Sequence, residues 1–148
     1  MIFSRTSMKF LAAAAFAAVA SAGHSAAVAR TPESISQAAI AELKAGHYRK
    51  AVFDFFGNSE LAAKKSDGLN NLADQIENAV VIYGPIRSCE IVDTAKRGTL
   101  IEVHLYLCQH DDFVSRWRFH MMRTQTGWTG MNFSFDDKIM LPITEPPI

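Results

Sequence analysis

The sequence predicts an α+β domain in which N-terminal helices pack on one face of a curved four-stranded antiparallel sheet. Up to Gly84-Pro85 the apolar residues recur at helical spacing, and after it they alternate with polar residues as in strands. The chain has 148 residues, 49% of them hydrophobic, which suits one globular domain. Its 15 basic and 15 acidic residues balance, so neither nucleic acid nor a membrane surface is expected as a partner.

Residues 1–29 have the layout of a secretory signal peptide. Arg5 and Lys9 precede an Ala-rich apolar stretch about half as long as a membrane-spanning helix. Small residues then offer two cleavage sites, after Ala22 and after Ala29. We therefore expect a secreted protein, placed in the bacterial periplasm and free of the membrane once the signal is removed. Cleavage after Ala29 leaves 13 basic and 15 acidic residues, a formal charge of −2.

Capping and breaking residues divide the first half of the mature chain into three helices. Thr31-Pro32 supplies an N-cap hydroxyl and a proline in the first turn of the first helix. A second helix is expected over about 48–56, followed by a short turn within 59–65. The third helix, over 66–83, presents one continuous apolar stripe and ends at a Gly-Pro pair.

Alternating residues in the second half predict four antiparallel strands joined as a meander. Their expected ranges are about 86–96, 100–109, 113–124 and 128–135. Together the helices and strands form a single domain at residues 30–139. Residues 140–148 contain three prolines, so an extended tail is expected there.

Turn chemistry predicts which residues face each other across the sheet. A three-residue loop at 110–112 places Leu105 opposite Trp117, and another at 125–127 places Phe119 opposite Phe133. The helix-covered face then holds ten large side chains: Ile101, Val103, Leu105, Leu107, Trp117, Phe119, Met121, Met131, Phe133 and Phe135. We interpret these side chains first as core. The alternative is a ligand cavity among them, with Tyr83, Trp117, Phe119 and Phe133 as pocket residues.

The opposite face of the predicted sheet collects the residues that could carry chemistry. A two-residue turn at Gly98-Thr99 places Asp93 beside His104 and Glu102 beside His120. A carboxylate next to an imidazole fixes its tautomer and raises its basicity, as a general base requires. Opposite charges across strands also stabilise a solvated face, and we prefer this structural interpretation to a partner-binding face or to catalysis.

Neither a metal nor an organic cofactor is expected. The two histidines lack a third ligand at the spacing of a metal site. The sequence also contains no Gly-rich phosphate loop, no GxSxG and no CxxC. Enzyme classes built on those motifs are excluded.

Cys89 and Cys108 face each other in the predicted register of the first two strands. Directly opposed residues have Cα atoms about 4.5 to 5.5 Å apart, within the range that a disulfide accepts. Export to an oxidising compartment favours this disulfide. The alternative is a pair of half-buried thiols.

Short motifs along the chain resemble those of a known superfamily. They are LKAGHYRKAV at 43–52 with Phe55-Phe56 after it, Tyr83-Gly84-Pro85, and Gly127-Trp128. Together they are similar to the NTF2-like (cystatin-like α+β) superfamily, especially its small exported bacterial members, over most of residues 31–137. The resemblance implies a pocket between the helices and the sheet, and a dimer through the other face. The superfamily includes isomerases, dehydratases, transport factors and non-enzymatic modules, so it implies no single activity.

The sequence therefore predicts an exported, non-enzymatic module that binds a small apolar ligand or a protein partner. The alternative is a small hydrolase or isomerase that uses Asp93 with His104, or Glu102 with His120. A homodimer through the polar sheet face is a third hypothesis. The cavity hypothesis predicts uptake of an apolar dye that Phe119→Trp abolishes.

Overall fold

The computed structural model describes residues 30–57 and 59–138. In these ranges it contains α1 (Pro32–Lys44), α2 (Tyr48–Phe56), α3 (Glu60–Lys64), α4 (Ser66–Tyr83), β1 (Ser88–Arg97), β2 (Ile101–Gln109), β3 (Val114–Thr124) and β4 (Gly127–Asp136). The strands form one antiparallel sheet in the order β1-β2-β3-β4, and the helices precede it, so the predicted α+β class is confirmed. The predicted signal peptide at 1–29, the domain end at 139 and the tail at 140–148 lie outside the described residues.

The helix ends follow from local chemistry. Thr31 Oγ1 accepts the Ser34 N–H at 3.1 Å and Ser34 Oγ accepts the Thr31 N–H at 2.9 Å, which closes a capping box at α1. Gly84 ends α4 with a φ of +83°, a conformation that favours glycine. The turn expected within 59–65 is the short helix α3.

The core lies between the helices and one face of the sheet, which we call the helix face. Phe55 of α2 contacts Phe119 of β3 and Phe133 of β4, with ring centroids 5.5 and 5.4 Å apart. Gly130 allows this close approach, because a Cβ there would stand 2.5 Å from the Phe55 ring. Trp117 and Phe119 are 1% and 0% exposed, so their prediction as core residues is confirmed.

The register between β2 and β3 differs from the predicted one by a single residue. Trp117 lies opposite Tyr106 rather than Leu105, because the hairpin turns on Asp111 and Asp112 alone instead of on three residues. A one-residue slip exchanges the two faces of a strand. The prediction that β2 places Ile101, Val103, Leu105 and Leu107 on the helix face is therefore wrong. The helix face of β2 carries Glu102, His104, Tyr106 and Cys108 instead.

Burial of apolar residues in β2 does not decide between the two registers. Tyr106 on the helix face and Leu105 on the opposite face are both 6% exposed, so the strand is apolar on each side. The observed register brings polar atoms into the core, and among the described residues every buried side-chain polar atom has a hydrogen-bond partner. Burying them therefore does not carry the cost of an unsatisfied polar group.

The pairing of β3 with β4 agrees with the prediction at its aromatic end only. Phe119 lies opposite Phe133, which confirms that part of the register. Near the turn, Met121 lies opposite Gly130 rather than Met131, because Gly127 pairs with Thr124 and the loop therefore has two residues instead of the predicted three. A bulge beside Met121 adds one residue and restores the predicted partners beyond it.

The predicted disulfide between Cys89 and Cys108 is confirmed. The S–S distance is 2.04 Å and the Cα atoms are 4.1 Å apart. The bond links β1, an edge strand with mostly exposed side chains, to β2 in the middle of the sheet. It closes a loop with a sequence separation of 19, which stabilises the fold by about 3 kcal/mol on the loop-entropy model.

Candidate functional site

His104 lies in the core between α1 and the sheet. Its Nε2 is 2.9 Å from Glu102 Oε1 and its Nδ1 is 2.8 Å from Ser36 Oγ, which in turn is 3.1 Å from the Tyr106 hydroxyl. An ionised carboxylate only accepts, so Nε2 donates to Glu102, and in the neutral ring Nδ1 accepts the Ser36 proton. Ser36 is 0% and His104 2% exposed, so the chain of hydrogen bonds is buried up to Glu102, whose side chain is 15% exposed and lies 3.6 Å from Lys96 Nζ.

The two acid–imidazole pairs that the sequence predicts do not form. The predicted two-residue turn at Gly98-Thr99 is wrong: the loop covers 98–100, so Asp93 lies opposite Leu105 and faces away from His104. A bulge between Ile91 and Asp93 restores the predicted register beyond it. Glu102 and His104 are on the helix face.

His120 lies opposite Val103 and Asn132 and is on the opposite face from Glu102. The pair that does form, Glu102 with His104, is an E-x-H motif whose side chains share one face of a strand. Sequence reasoning also missed Ser36, although it lies in the buried stripe of α1 four residues before Ile40.

A cleft of about 340 Å³ lies between α4 and the adjoining ends of β3 and β4, and we call it the α4 cleft. Its lining is mostly apolar and includes Ala79, Ile82, Tyr83, Phe113 and Phe135. Tyr83 stacks on Phe113 with ring centroids 4.2 Å apart and an interplanar angle of 13°. The cleft therefore offers flat aromatic surfaces to a ligand.

One side of the α4 cleft is acidic. Asp136 accepts two bonds from the buried Arg116 guanidinium, at 3.0 Å from Nε and 2.9 Å from Nη2. Burial raises the pKa of Asp136, but the bonds from Arg116 and the Lys138 N–H outweigh it and hold this pKa below its ordinary value. Exposed Asp137, 3.5 Å from the Tyr83 hydroxyl, also lines the cleft.

Ser115 lines the same cleft and is hydrogen-bonded to His110. His110 Nδ1 is 2.7 Å from the Gly84 carbonyl oxygen, which only accepts, so Nδ1 carries a proton. In the neutral ring Nε2 then accepts the Ser115 hydroxyl proton across 2.8 Å. Trp117 Nε1 donates to Ser115 Oγ at 2.6 Å. Sequence reasoning assigned His110 to a loop and missed this arrangement, because it depends on the end of α4 meeting the β2–β3 hairpin.

Compared with known proteins, the chain matches no family model, no curated protein and no solved structure.

The predicted pocket residues are found in three different environments. Tyr83 lines the α4 cleft, while Phe133 lines a second cleft of about 290 Å³ near Leu69 and Leu72. Trp117 and Phe119 are closed into the core. A ligand would therefore contact the edge of the aromatic layer rather than its centre.

Two further observations bear on ligands and membranes. Within residues 30–57 and 59–138, no three His, Cys, Asp or Glu side chains are grouped so that they could hold a metal ion. In the same part of the chain, none of the helices combines the length and apolarity that crossing a bilayer requires.

Proposed function

We propose that the protein is an exported, NTF2-like module whose role is to bind a small ligand with an apolar body in the α4 cleft. The observation that carries this proposal is the cleft itself, about 340 Å³ with a mostly apolar, partly aromatic lining. Small-molecule sites have volumes of about 300 to 1,000 Å³ and this kind of lining. The disulfide supports export, because such bonds persist in oxidising compartments.

The lining also indicates the shape and charge of the ligand. The stacked rings of Tyr83 and Phe113 favour a planar, aromatic or unsaturated body. Asp136 is already paired with Arg116, whereas Asp137 is an exposed acid. We therefore expect a neutral or weakly cationic ligand to bind better than an anionic one.

Burial argues against the enzyme alternative that uses Glu102 and His104. A general base must reach the proton that it abstracts. His104 and its partner Ser36 are 2% and 0% exposed, and neither lines the α4 cleft, where the ligand is proposed to bind. This environment supports a structural role for the pair, which links α1 to β2.

A fluorescence titration tests the proposal directly. The neutral apolar dye N-phenyl-1-naphthylamine should bind saturably, with a dissociation constant on the order of 10 μM. Ala79→Trp places a large ring in the α4 cleft and should weaken binding at least about tenfold. Ala38→Trp, at an exposed position of α1, adds the same ring elsewhere and should leave binding unchanged.

The earlier test variant, Phe119→Trp, is unsuitable because Phe119 is 0% exposed and a larger ring would overpack the core. The proposal fails if the folded wild-type protein shows no saturable dye binding. It also fails if Ala79→Trp binds the dye as well as Ala38→Trp does.

A further inference from the structure

We propose that Ser115 and His110 form a nucleophile–base dyad that accepts the acyl group of an apolar ester bound in the α4 cleft. This inference rests on the proposed function for the location of the ester and goes beyond binding. It is carried by the geometry of two hydrogen bonds and by the position of Ser115 in the cleft lining.

The hydrogen bonds give each member of the dyad a defined chemical role. Ser115 Oγ lies 2.8 Å from His110 Nε2, within the range required for proton transfer to a general base. The Gly84 carbonyl fixes the ring in the tautomer with a free Nε2 lone pair, the role that a third group has in catalytic triads. Trp117 Nε1 donates to the same oxygen at 2.6 Å and so holds Ser115 Oγ in place beside His110.

The groups around His110 keep this arrangement fixed. Phe113 and Tyr83 are its ring neighbours, with centroids 6.3 and 6.1 Å away. The nearby carboxylate of Asp111 is held by Arg87 at 2.6 Å, and this bond lowers the pKa of Asp111. Asp111 is therefore held by Arg87, with His110 as a weaker electrostatic neighbour.

The molecule contains a second serine–histidine pair that serves as an internal comparison. Ser36 Oγ is also 2.8 Å from a histidine nitrogen, that of His104. Ser36 is 0% exposed and does not line the α4 cleft, whereas Ser115, itself only 3% exposed, is part of the cleft lining. Reactivity is thus expected at Ser115 and not at Ser36, although each serine oxygen lies beside a histidine nitrogen.

The proposed reaction is an acyl transfer from the ester to Ser115. Ser115 Oγ forms a bond to the ester carbonyl carbon while its proton moves to His110 Nε2. The carbon–oxygen bond to the leaving alcohol then breaks, and that alcohol takes the proton from His110. Water releases the acid from acyl-Ser115 by the same route, with His110 as its base.

Covalent labelling of the wild-type protein tests the dyad without relying on a variant. An alkyl fluorophosphonate forms an Oγ–P bond at an activated serine, with loss of fluoride and of the hydroxyl proton. Peptide mass spectrometry should find the label on Ser115, at a rate about 100-fold or more above that of the urea-unfolded chain. Ser36 should carry none. Ser115→Ala should remove the label, while Ser88→Ala, on the exposed edge strand, should keep it.

The dyad is wrong if native protein is labelled no faster than unfolded protein, or if the label is found on serines other than Ser115. Dye binding measured on the same preparation separates the two proposals. Dye binding without labelling overturns the dyad and leaves the binding module. If dye binding also fails, the proposed function fails with it.

Discussion

Single polar residues in the core determine how the β2 strand is oriented. Ser36 and Tyr106 have hydrogen-bond partners inside the protein, as His104 does at both ring nitrogens. A buried polar atom that loses its partner costs about 1 to 3 kcal/mol, more than the bond itself contributes. The register that turns His104 towards α1 is therefore stable because Ser36 gives the imidazole a hydrogen-bond partner.

The ion pair between Arg116 and Asp136 gives a prediction at this scale. Arg116 is 4% exposed, so Asp136→Asn leaves a buried cation with a neutral partner and should lower the free energy of unfolding by about 2 kcal/mol at pH 7. The pKa of Asp136 is lower in the folded protein, so its stabilising effect is complete above the unfolded-state value of about 3.9. It is lost as the pH falls through the folded-state pKa.

Urea unfolding at several pH values measures this effect. The difference in stability between wild type and Asp136→Asn should be largest at neutral pH and should shrink on acidification below about pH 4. Asp112→Asn, in the exposed hairpin turn, is the control and should change stability by less than about 0.5 kcal/mol. A difference that stays constant down to pH 2 would refute the role given to the carboxylate.

At the scale of whole elements, the positions of the helices and strands were easier to predict from the sequence than the pairing of the strands. Capping at Thr31 and the break at Gly84 are local signals, so α1 and the end of α4 were predictable. The pairing of β2 with β3 depends on whether the hairpin loop has two residues or three. The two-residue loop allows His110 to bond to Gly84 and to Ser115, and these bonds favour it. Tertiary contacts of this kind leave no periodic pattern in the sequence.

The candidate site was predictable to the same limited extent. Tyr83 was predicted as a pocket residue, and it lines the α4 cleft. Ser115 was missed because His110 was predicted as part of a three-residue loop, so its bond to Ser115 was not recognised.

The contact between α2 and β4 allows a test with two glycines. A Cβ at Gly130 would stand 2.5 to 2.6 Å from the Phe55 ring and its backbone oxygen, so Gly130→Ala must push α2 away from the sheet. We expect a loss of about 1 to 3 kcal/mol in the free energy of unfolding. Gly68, in α4, has nothing within 4 Å of the same position, so Gly68→Ala should keep or slightly raise stability. Equal effects of the two substitutions in urea unfolding would show that the close approach is absent.

For the whole molecule, the sheet separates a helix face that holds the core from an opposite face with ionic pairs. The α4 cleft forms where these layers end, because α4 stops at Gly84 and leaves the rings of Phe113 and Phe135 uncovered at one side. The disulfide secures β1 at the far edge of the sheet. A rigid sheet with a cleft at the end of one helix is suited to holding a small ligand, which is the central claim of the proposed function.

Amide chemical shifts measured by NMR during titration with N-phenyl-1-naphthylamine test that claim most directly. Binding in the α4 cleft should shift the amides of Ala79, Ile82 and Phe113, with saturation at the same dye concentration as the fluorescence change. The amides of Leu69 and Leu72, beside the second cleft, should stay unchanged. Shifts confined to the second cleft, or no saturable shifts in the folded protein, would contradict the account.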